Sequence, residues 1–227
     1  MQDPFALDGP RLPAQSGKTR SLVILLHGLG SDGNDLIGLA PFWAPQLPDT
    51  AFVSPNAPFP CDMAPYGFQW FSLQDRAPGR ILAGVQAAAP ILDGFIDREL
   101  ERHGLDESRL ALAGFSQGCM MSLYVAPRRA KPVAQVLGYS GRLIGPDLLK
   151  TDARSKPPVL LVHGTADEIV PFDSLAASEA GLKAAGIPVE TLARPGLPHS
   201  IDEPGLVEGG KRLIRAFRHD SANEIKP

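Results

Sequence analysis

The sequence predicts an α/β protein, a mainly parallel sheet with helices on both faces. Two observations carry that expectation. Short continuous apolar runs recur along the chain, each ending in Gly, Pro or a polar turn, and segments with helical spacing lie between them. Continuous rather than alternating apolarity marks strands covered on both faces, and strands that alternate with helices feed a parallel sheet.

The runs SLVILLHG (21–28) and TAFVSPNAP (50–58) bracket a helical stretch from about Asp35 to Leu47. A long aromatic and proline-containing connection, Pro58 to Arg80, comes next; long connections in compact domains are usually functional or disordered. Val85, Ala89, Leu92, Ile96 and Leu100 recur at helical spacing, with Pro90 expected to kink or delay their helix. The run RLALAGFS (109–116) precedes a helix over Gln117 to Ala126, and AQVLGYSG (134–141) and PVLLVHGTAD (158–167) are further strands. A helix from Asp173 to Ala185 should stop at Gly186, PVETLARPG (188–196) is the last strand, and Leu206 to Phe217 the last helix. One domain over 1–227 is expected, with residues 1–20 as an N-terminal extension and 219–227 as a polar tail.

Composition narrows the function. Hydrophobic residues make up 44% and charged residues 21%, enough for a full core, and a net charge of -3 provides no basic footprint for nucleic acid or an anionic membrane. The opening MQDPFALDGP has no basic or apolar leader pattern, and no run approaches the ~18 apolar residues of a membrane span. A cytoplasmic protein is therefore expected, without nucleic acid or integral membrane contact; a homodimer is compatible with the sequence, which does not fix an oligomeric state. The two cysteines, Cys61 and Cys119, do not make a disulfide framework.

In such a sheet, function collects at the C-terminal ends of the strands. There the chain places Gly114-Phe115-Ser116-Gln117-Gly118, between a strand and a helix, the context of a nucleophile elbow. The glycines let strand and helix approach while the serine hydroxyl stands at the sheet edge. A hydroxyl needs a base to take its proton. Chain order at such an elbow is Ser, then acid, then His, which leaves His199 or His219 among the five histidines, and the loop ARPGLPHS after the last strand favours His199. Asp167 closes VLLVHGTAD at a strand end, where a carboxylate can hold the imidazole; Asp173 reads as a helix N-cap and Glu168 as pointing elsewhere. For the oxyanion, the backbone N–H of Gln117 and that of Leu29, in His27-Gly28-Leu29-Gly30, are the expected donors. That glycine-rich turn matches neither the P-loop nor the dinucleotide fingerprint, and with no HExxH or paired-Cys motif no cofactor or metal is expected.

From Leu25 to His199 the chain resembles the carboxylesterase/phospholipase family of α/β-hydrolases, which includes acyl-protein thioesterases and small bacterial carboxylesterases. The matching pieces are LLHGLGSDGNDL, VSPNAP, QWF, AGFSQGCM, GYSG, LVHGTADEIVP and PGLPHSI, and HGLGSDGND looks most like the bacterial branch. The resemblance implies a serine esterase with Ser116, Asp167 and His199 as triad. It departs at Ser72, where relatives commonly place an acidic residue after Trp-Phe, so no role for that acid passes to this chain. Larger hydrolases insert a lid after the strand ending near Ser140; Gly141 to Lys156 is too short for one, so no large lid domain is expected. Met63, Trp70, Phe71 and Leu73, with Pro65, Tyr66 and Phe68, are expected to line an acyl groove. With no Lys or Arg cluster beside the motifs, the expected substrate is a neutral small-molecule ester or thioester of short to medium chain, a lysophospholipid or acylated protein being the alternative. A hydrolase-fold binding protein without turnover should lack a triad member or an oxyanion glycine, and a dienelactone-hydrolase-like enzyme should carry Cys in the elbow; neither is the case here.

Overall fold

The computed structural model describes residues 7–218. In chain order its first half contains β1 (Arg11–Leu12), β2 (Ser21–Leu26), α1 (Gly33–Ile37), α2 (Ala40–Trp43), β3 (Thr50–Val53), β4 (Phe59–Pro60), β5 (Phe68–Gln69) and α3 (Pro78–His103). The second half contains β6 (Leu110–Phe115), α4 (Gln117–Val125), β7 (Gln135–Tyr139), α5 (Pro146–Asp152), β8 (Val159–Gly164), α6 (Asp173–Ala184), β9 (Val189–Arg194) and α7 (Glu203–Arg218). All six apolar runs become strands of one seven-stranded sheet, ordered β1-β3-β2-β6-β7-β8-β9 and parallel except for β1, which runs antiparallel to β3.

Helices α3, α4, α5 and α6 cover one face, burying Val85, Leu92, Met121, Leu149 and Leu182 against it. Helices α1, α2 and α7 cover the other, through Leu36, Ala40, Trp43 and Leu213, and the Trp43 indole N–H donates to Leu206 O, joining α2 to α7. The central strands β2, β6, β7 and β8 are buried along nearly their whole length, as continuous apolarity demands. Strand β9 differs: it is the sheet edge and half exposed, with Glu190 reaching Arg212 of α7.

Two helix expectations are corrected. The stretch from Asp35 to Leu47 is not one helix but α1, α2 and a 3-10 turn over Ala44–Gln46. Gly38 closes α1, its N–H donating to Asp35 O and Leu36 O, and Pro41 and Pro45 lack the N–H that a continuous helix would need. Pro90, conversely, neither delays nor ends α3, which begins at Pro78 and runs through it. Gln86, whose carbonyl loses its partner, and Pro90 both lie on the solvent face, where water replaces the missing bond, while Ile81, Val85, Ala88, Leu92 and Phe95 fill the opposite face. α3 ends at His103 with Gly104 in the left-handed region (φ 63°), and Gly186 (φ 71°) follows α6 as expected. Asp173 is the first residue of α6 rather than its cap, which is Phe172. The only helix between Ser140 and β8 is the seven-residue α5, so no lid domain is inserted there.

Candidate active site

β6 runs out at Phe115 and α4 begins at Gln117, leaving Ser116 alone to make the reversal, at φ 54° and ψ −115°. That strained conformation is over-determined by its surroundings. The Ser116 N–H donates to Tyr139 O at the end of β7 (2.9 Å). A Cβ on Gly114 would stand 2.3 Å from Gly118 C, and one on Gly118 would stand 1.8 Å from Leu26 O, so both flanking glycines are sterically required. Beneath the turn, the buried Cys119 thiol is pushed up to about 12 by burial, which makes it an inert packing group rather than a rival nucleophile.

His199, in the loop between β9 and α7, presents Nε2 at 3.1 Å from Ser116 Oγ, and its Nδ1 lies 2.8 Å from Asp167 Oδ2. An ionised carboxylate can only accept, so Nδ1 carries the proton and Nε2 is left to accept from the serine hydroxyl. The Phe115 ring packs on the imidazole at 4.8 Å. Asp167 follows β8, and its other oxygen, Oδ1, accepts from the Ile169 and Val170 amides, each at 2.9 Å. Burial opposes the Asp167 charge, yet the His199 hydrogen bond and these amides hold its carboxyl below the usual carboxylate range.

The turn after β2 supplies the other side. His27 is fully buried; its Nε2 accepts from the Ala57 N–H (2.9 Å), so Nδ1 carries the proton and donates to Gly28 O (2.7 Å). Burial lowers its proton affinity, which keeps it neutral and structural. Gly28 lies against Ser116, since a Cβ there would be 3.3 Å from Ser116 Cβ. Leu29 and Gln117 both line the cavity above Ser116. Gln117 is the first residue of α4, a position whose N–H no intrahelical carbonyl reaches, and among the described residues the Leu29 N–H has no protein acceptor.

The long connection from Pro58 to Arg80 does not have the role the sequence suggests. Trp70 and Phe71 are buried in the core and do not line the cavity, and Met63 is half exposed away from it; of the seven residues expected to line the groove, Pro65, Tyr66 and Phe68 included, only Leu73 lies on the lining. Trp70 and Phe71 work underneath: the Trp70 indole N–H donates to His27 O (3.0 Å), Gln117 Oε1 accepts from the Trp70 N–H, and Gln117 Nε2 donates to Phe71 O (2.8 Å). The hairpin β4–β5 is stitched to the same turn, Gly30 N–H donating to Phe68 O (2.9 Å) and Phe68 N–H to Ser31 O (2.8 Å). Ring size and spacing in sequence do not reveal which side of a loop packs inward, which is why these aromatics read as a groove.

The cavity itself has a volume of about 580 Å³. Leu29, Leu73, Ile81, Met120, Ile169 and Val170 give it apolar walls. Sequence reasoning missed most of these, although two signals existed: Met120 lies one helical turn beyond Ser116, and Ile169 and Val170 lie two and three residues after Asp167. Charge also reaches the lining, as Arg76 and Arg142 against Asp35 and Glu168, so the cations are balanced by an equal number of carboxylates. Glu168 lines the cavity without engaging His199, whose carboxylate partner is Asp167. His103 ends α3 and His219 lies outside the described residues. No group of three or more His, Cys, Asp or Glu suited to a metal occurs among the described residues.

Comparison with known proteins agrees with this architecture. A family model described as Phospholipase/Carboxylesterase matches residues 7–209. The chain is 28% identical to an esterase, YpfH, of Escherichia coli over 90% of this chain and 84% of that protein. It is 32% identical to acyl-protein thioesterase 1 of Schizosaccharomyces pombe over 82% of this chain and 86% of the relative. The crystal structure of esterase PE8 superposes with a TM-score of 0.89 at 41% identity, over 92% of this chain and 99% of that one.

Proposed function

The chain belongs to the phospholipase/carboxylesterase family and has the α/β-hydrolase fold, and on that premise we propose that it cleaves carboxylic esters of short to medium acyl chain through an acyl-enzyme on Ser116. It is an enzyme of the esterase and thioesterase class. The observation that carries the reading of its site is the chain of contacts from Ser116 Oγ to His199 Nε2 (3.1 Å) and from His199 Nδ1 to Asp167 Oδ2 (2.8 Å).

In the proposed reaction His199 Nε2 takes the Ser116 proton as Oγ attacks the carbonyl carbon. Negative charge collects on the former carbonyl oxygen, where the Leu29 and Gln117 N–H groups are the donors. Asp167 holds the imidazole in its Nδ1–H form and stabilises the imidazolium. Collapse of the tetrahedral intermediate expels the alcohol or thiol, which receives the proton from Nε2. Water then repeats the sequence on the acyl-enzyme and frees Ser116.

Apolar walls around Ser116 suit an aliphatic acyl chain, and the balanced charges on the lining suit a substrate without net charge. The thioesterase relatives support a second reading, hydrolysis of the thioester of an acylated protein, and the family description, Phospholipase/Carboxylesterase, keeps phospholipid esters beside it. Among the described residues no helix is long and apolar enough to cross a membrane, which is compatible with the proposed cytoplasmic location. A panel of p-nitrophenyl esters, acyl thioesters and lysophospholipids, run with a serine-directed fluorophosphonate, tests both parts. Highest kcat/KM on short to medium esters and labelling at Ser116 are expected; a preference for thioesters or lysophospholipids replaces the substrate reading, and labelling elsewhere overturns the site.

A further inference from the structure

His163 has no part in that reaction, yet it is among the most buried polar residues of the chain, 1% exposed at the end of β8. Its Nε2 lies 2.8 Å from Val170 O. A carbonyl can only accept, so Nε2 carries the proton. The same nitrogen stands 3.2 Å from Asp167 Oδ2, the oxygen that accepts from the His199 Nδ1–H, and the Asp167 side chain has no exposed surface. The acid therefore has polar groups on every side: the Ile169 and Val170 amides on Oδ1, and His199 with the positive end of the His163 N–H dipole at Oδ2. The Phe172 ring closes the far side of His163 edge-on at 6.1 Å. Through Val170 O the imidazole also holds the stretch from Glu168 to Pro171, which forms one wall of the cavity.

We propose that His163 is a positioning residue, fixing the Asp167 carboxylate against His199 and tying it to the Val170 wall of the substrate cavity. The proposal rests on the reading of Ser116, Asp167 and His199 as the triad. Its physical content is a shared neighbour: the His163 N–H donates to Val170 O and stands beside Oδ2, which accepts from His199. A second N–H dipole at Oδ2 stabilises the Asp167 anion and thins the charge available to the His199 imidazolium. Removing that dipole leaves Val170 O without its donor, loosens the loop whose Ile169 and Val170 amides hold Oδ1, and leaves the Oδ2 charge to His199 alone, which favours the imidazolium. Catalysis should then fall while the pH at which His199 becomes a competent base rises. The other charged groups around His199 are Asp35, Arg76, Arg142 and Glu168 across the cavity, and these stay as they are in the variants.

The test compares His163→Phe, which keeps a planar ring but no donor, with His163→Gln, whose amide N–H can reach an acceptor. Active-site concentration is set by fluorophosphonate titration, so that misfolded protein does not count. His163→Phe is expected to lose about 10- to 100-fold in kcat, with the larger share of the change in kcat rather than KM. The midpoint of its kcat/KM profile should move up by roughly half a pH unit. His163→Gln should recover at least half of each effect. Wild-type kcat and midpoint in His163→Phe, or lower activity with an unmoved midpoint, would overturn the proposal. If His163→Phe does not fold, nitrogen-15 imidazole spectra of the wild type decide: the His163 proton should sit on Nε2, and an Nδ1–H tautomer would refute the assignment. Wild-type protein that is labelled somewhere other than Ser116 overturns the triad reading itself, a result distinct from normal labelling with unaltered His163→Phe kinetics.

Discussion

The floor of the active site and its mouth are built on different terms. On the floor, Gly114 and Gly118 sit where backbone touches backbone, Gly28 stands against the Phe115 and Ser116 side chains, and buried side chains lock the turn: His27 on Gly28 O, Trp70 on His27 O, Gln117 on both Trp70 and Phe71. At the mouth, Glu168 and Ile169 are exposed, Ile169 at 67%, and Arg76 and Arg142 reach solvent. In the proposed reaction the floor must hold donors and nucleophile to fractions of an ångström, because the charge they stabilise exists only in the transition state. The mouth only has to exclude water and accept a chain, which loosely held apolar side chains do. Chemistry and substrate preference should therefore respond to different substitutions.

The sharpest contrast is on the floor. Ser116→Ala should lower kcat by about 10⁶ with the fold retained, read by steady-state kinetics beside circular dichroism. Asp167→Asn permits the wrong imidazole tautomer and should cost about 10⁴ in kcat. Glu168→Gln, one residue away at the mouth, should change it far less. Equal losses at Asp167 and Glu168 in folded protein would erase the distinction.

A pH profile sharpens the same comparison. Because Asp167 is held below the usual carboxylate range, it stays ionised while the imidazole above it loses its proton. kcat/KM should thus rise with pH in one step to an alkaline plateau, and Asp167→Asn should lose the plateau height rather than its shape. Sign follows for stability too: the contribution of the depressed Asp167 carboxyl is complete above its unfolded value and is lost as pH falls through the folded one. A two-step rise within the neutral range would assign a second essential group.

Backbone contact gives a stability version. Gly118→Ala places a methyl carbon 1.8 Å from Leu26 O and should destabilise by about 3 kcal/mol or more in urea unfolding. Gly79→Ala, in the first turn of α3 with no atom within 4 Å of its added Cβ, should instead gain up to about 1 kcal/mol. Similar losses at both would show that the floor is no more constrained than the surface.

The smallest effects belong to the mouth. Ile169→Ala should raise KM a few-fold on the longer acyl esters, and Met63→Ala, half exposed and off the lining, should leave stability within about 0.5 kcal/mol. Greater dependence of acyl preference on Met63 than on Ile169 would restore the groove that the sequence suggested.

The sequence by itself determined the sheet, the elbow and the placement of Ser116, Asp167 and His199 beyond the ends of β6, β8 and β9. These are legible because they depend on local patterns: continuous apolarity marks buried strands, and only glycine tolerates the contacts at positions 114 and 118. Tertiary structure alone decided what the local pattern leaves open. Trp70 and Phe71 turned inward to brace the turn after β2, because a buried indole N–H needs an acceptor and His27 O was within reach. Pro90 stayed inside α3 because its unpaired carbonyl partner faces water, and His163, unremarkable as a strand-end histidine, came to lie against Asp167. In each case the deciding quantity was which groups the folded chain places within about 3 Å of one another, and that depends on residues far apart in the chain.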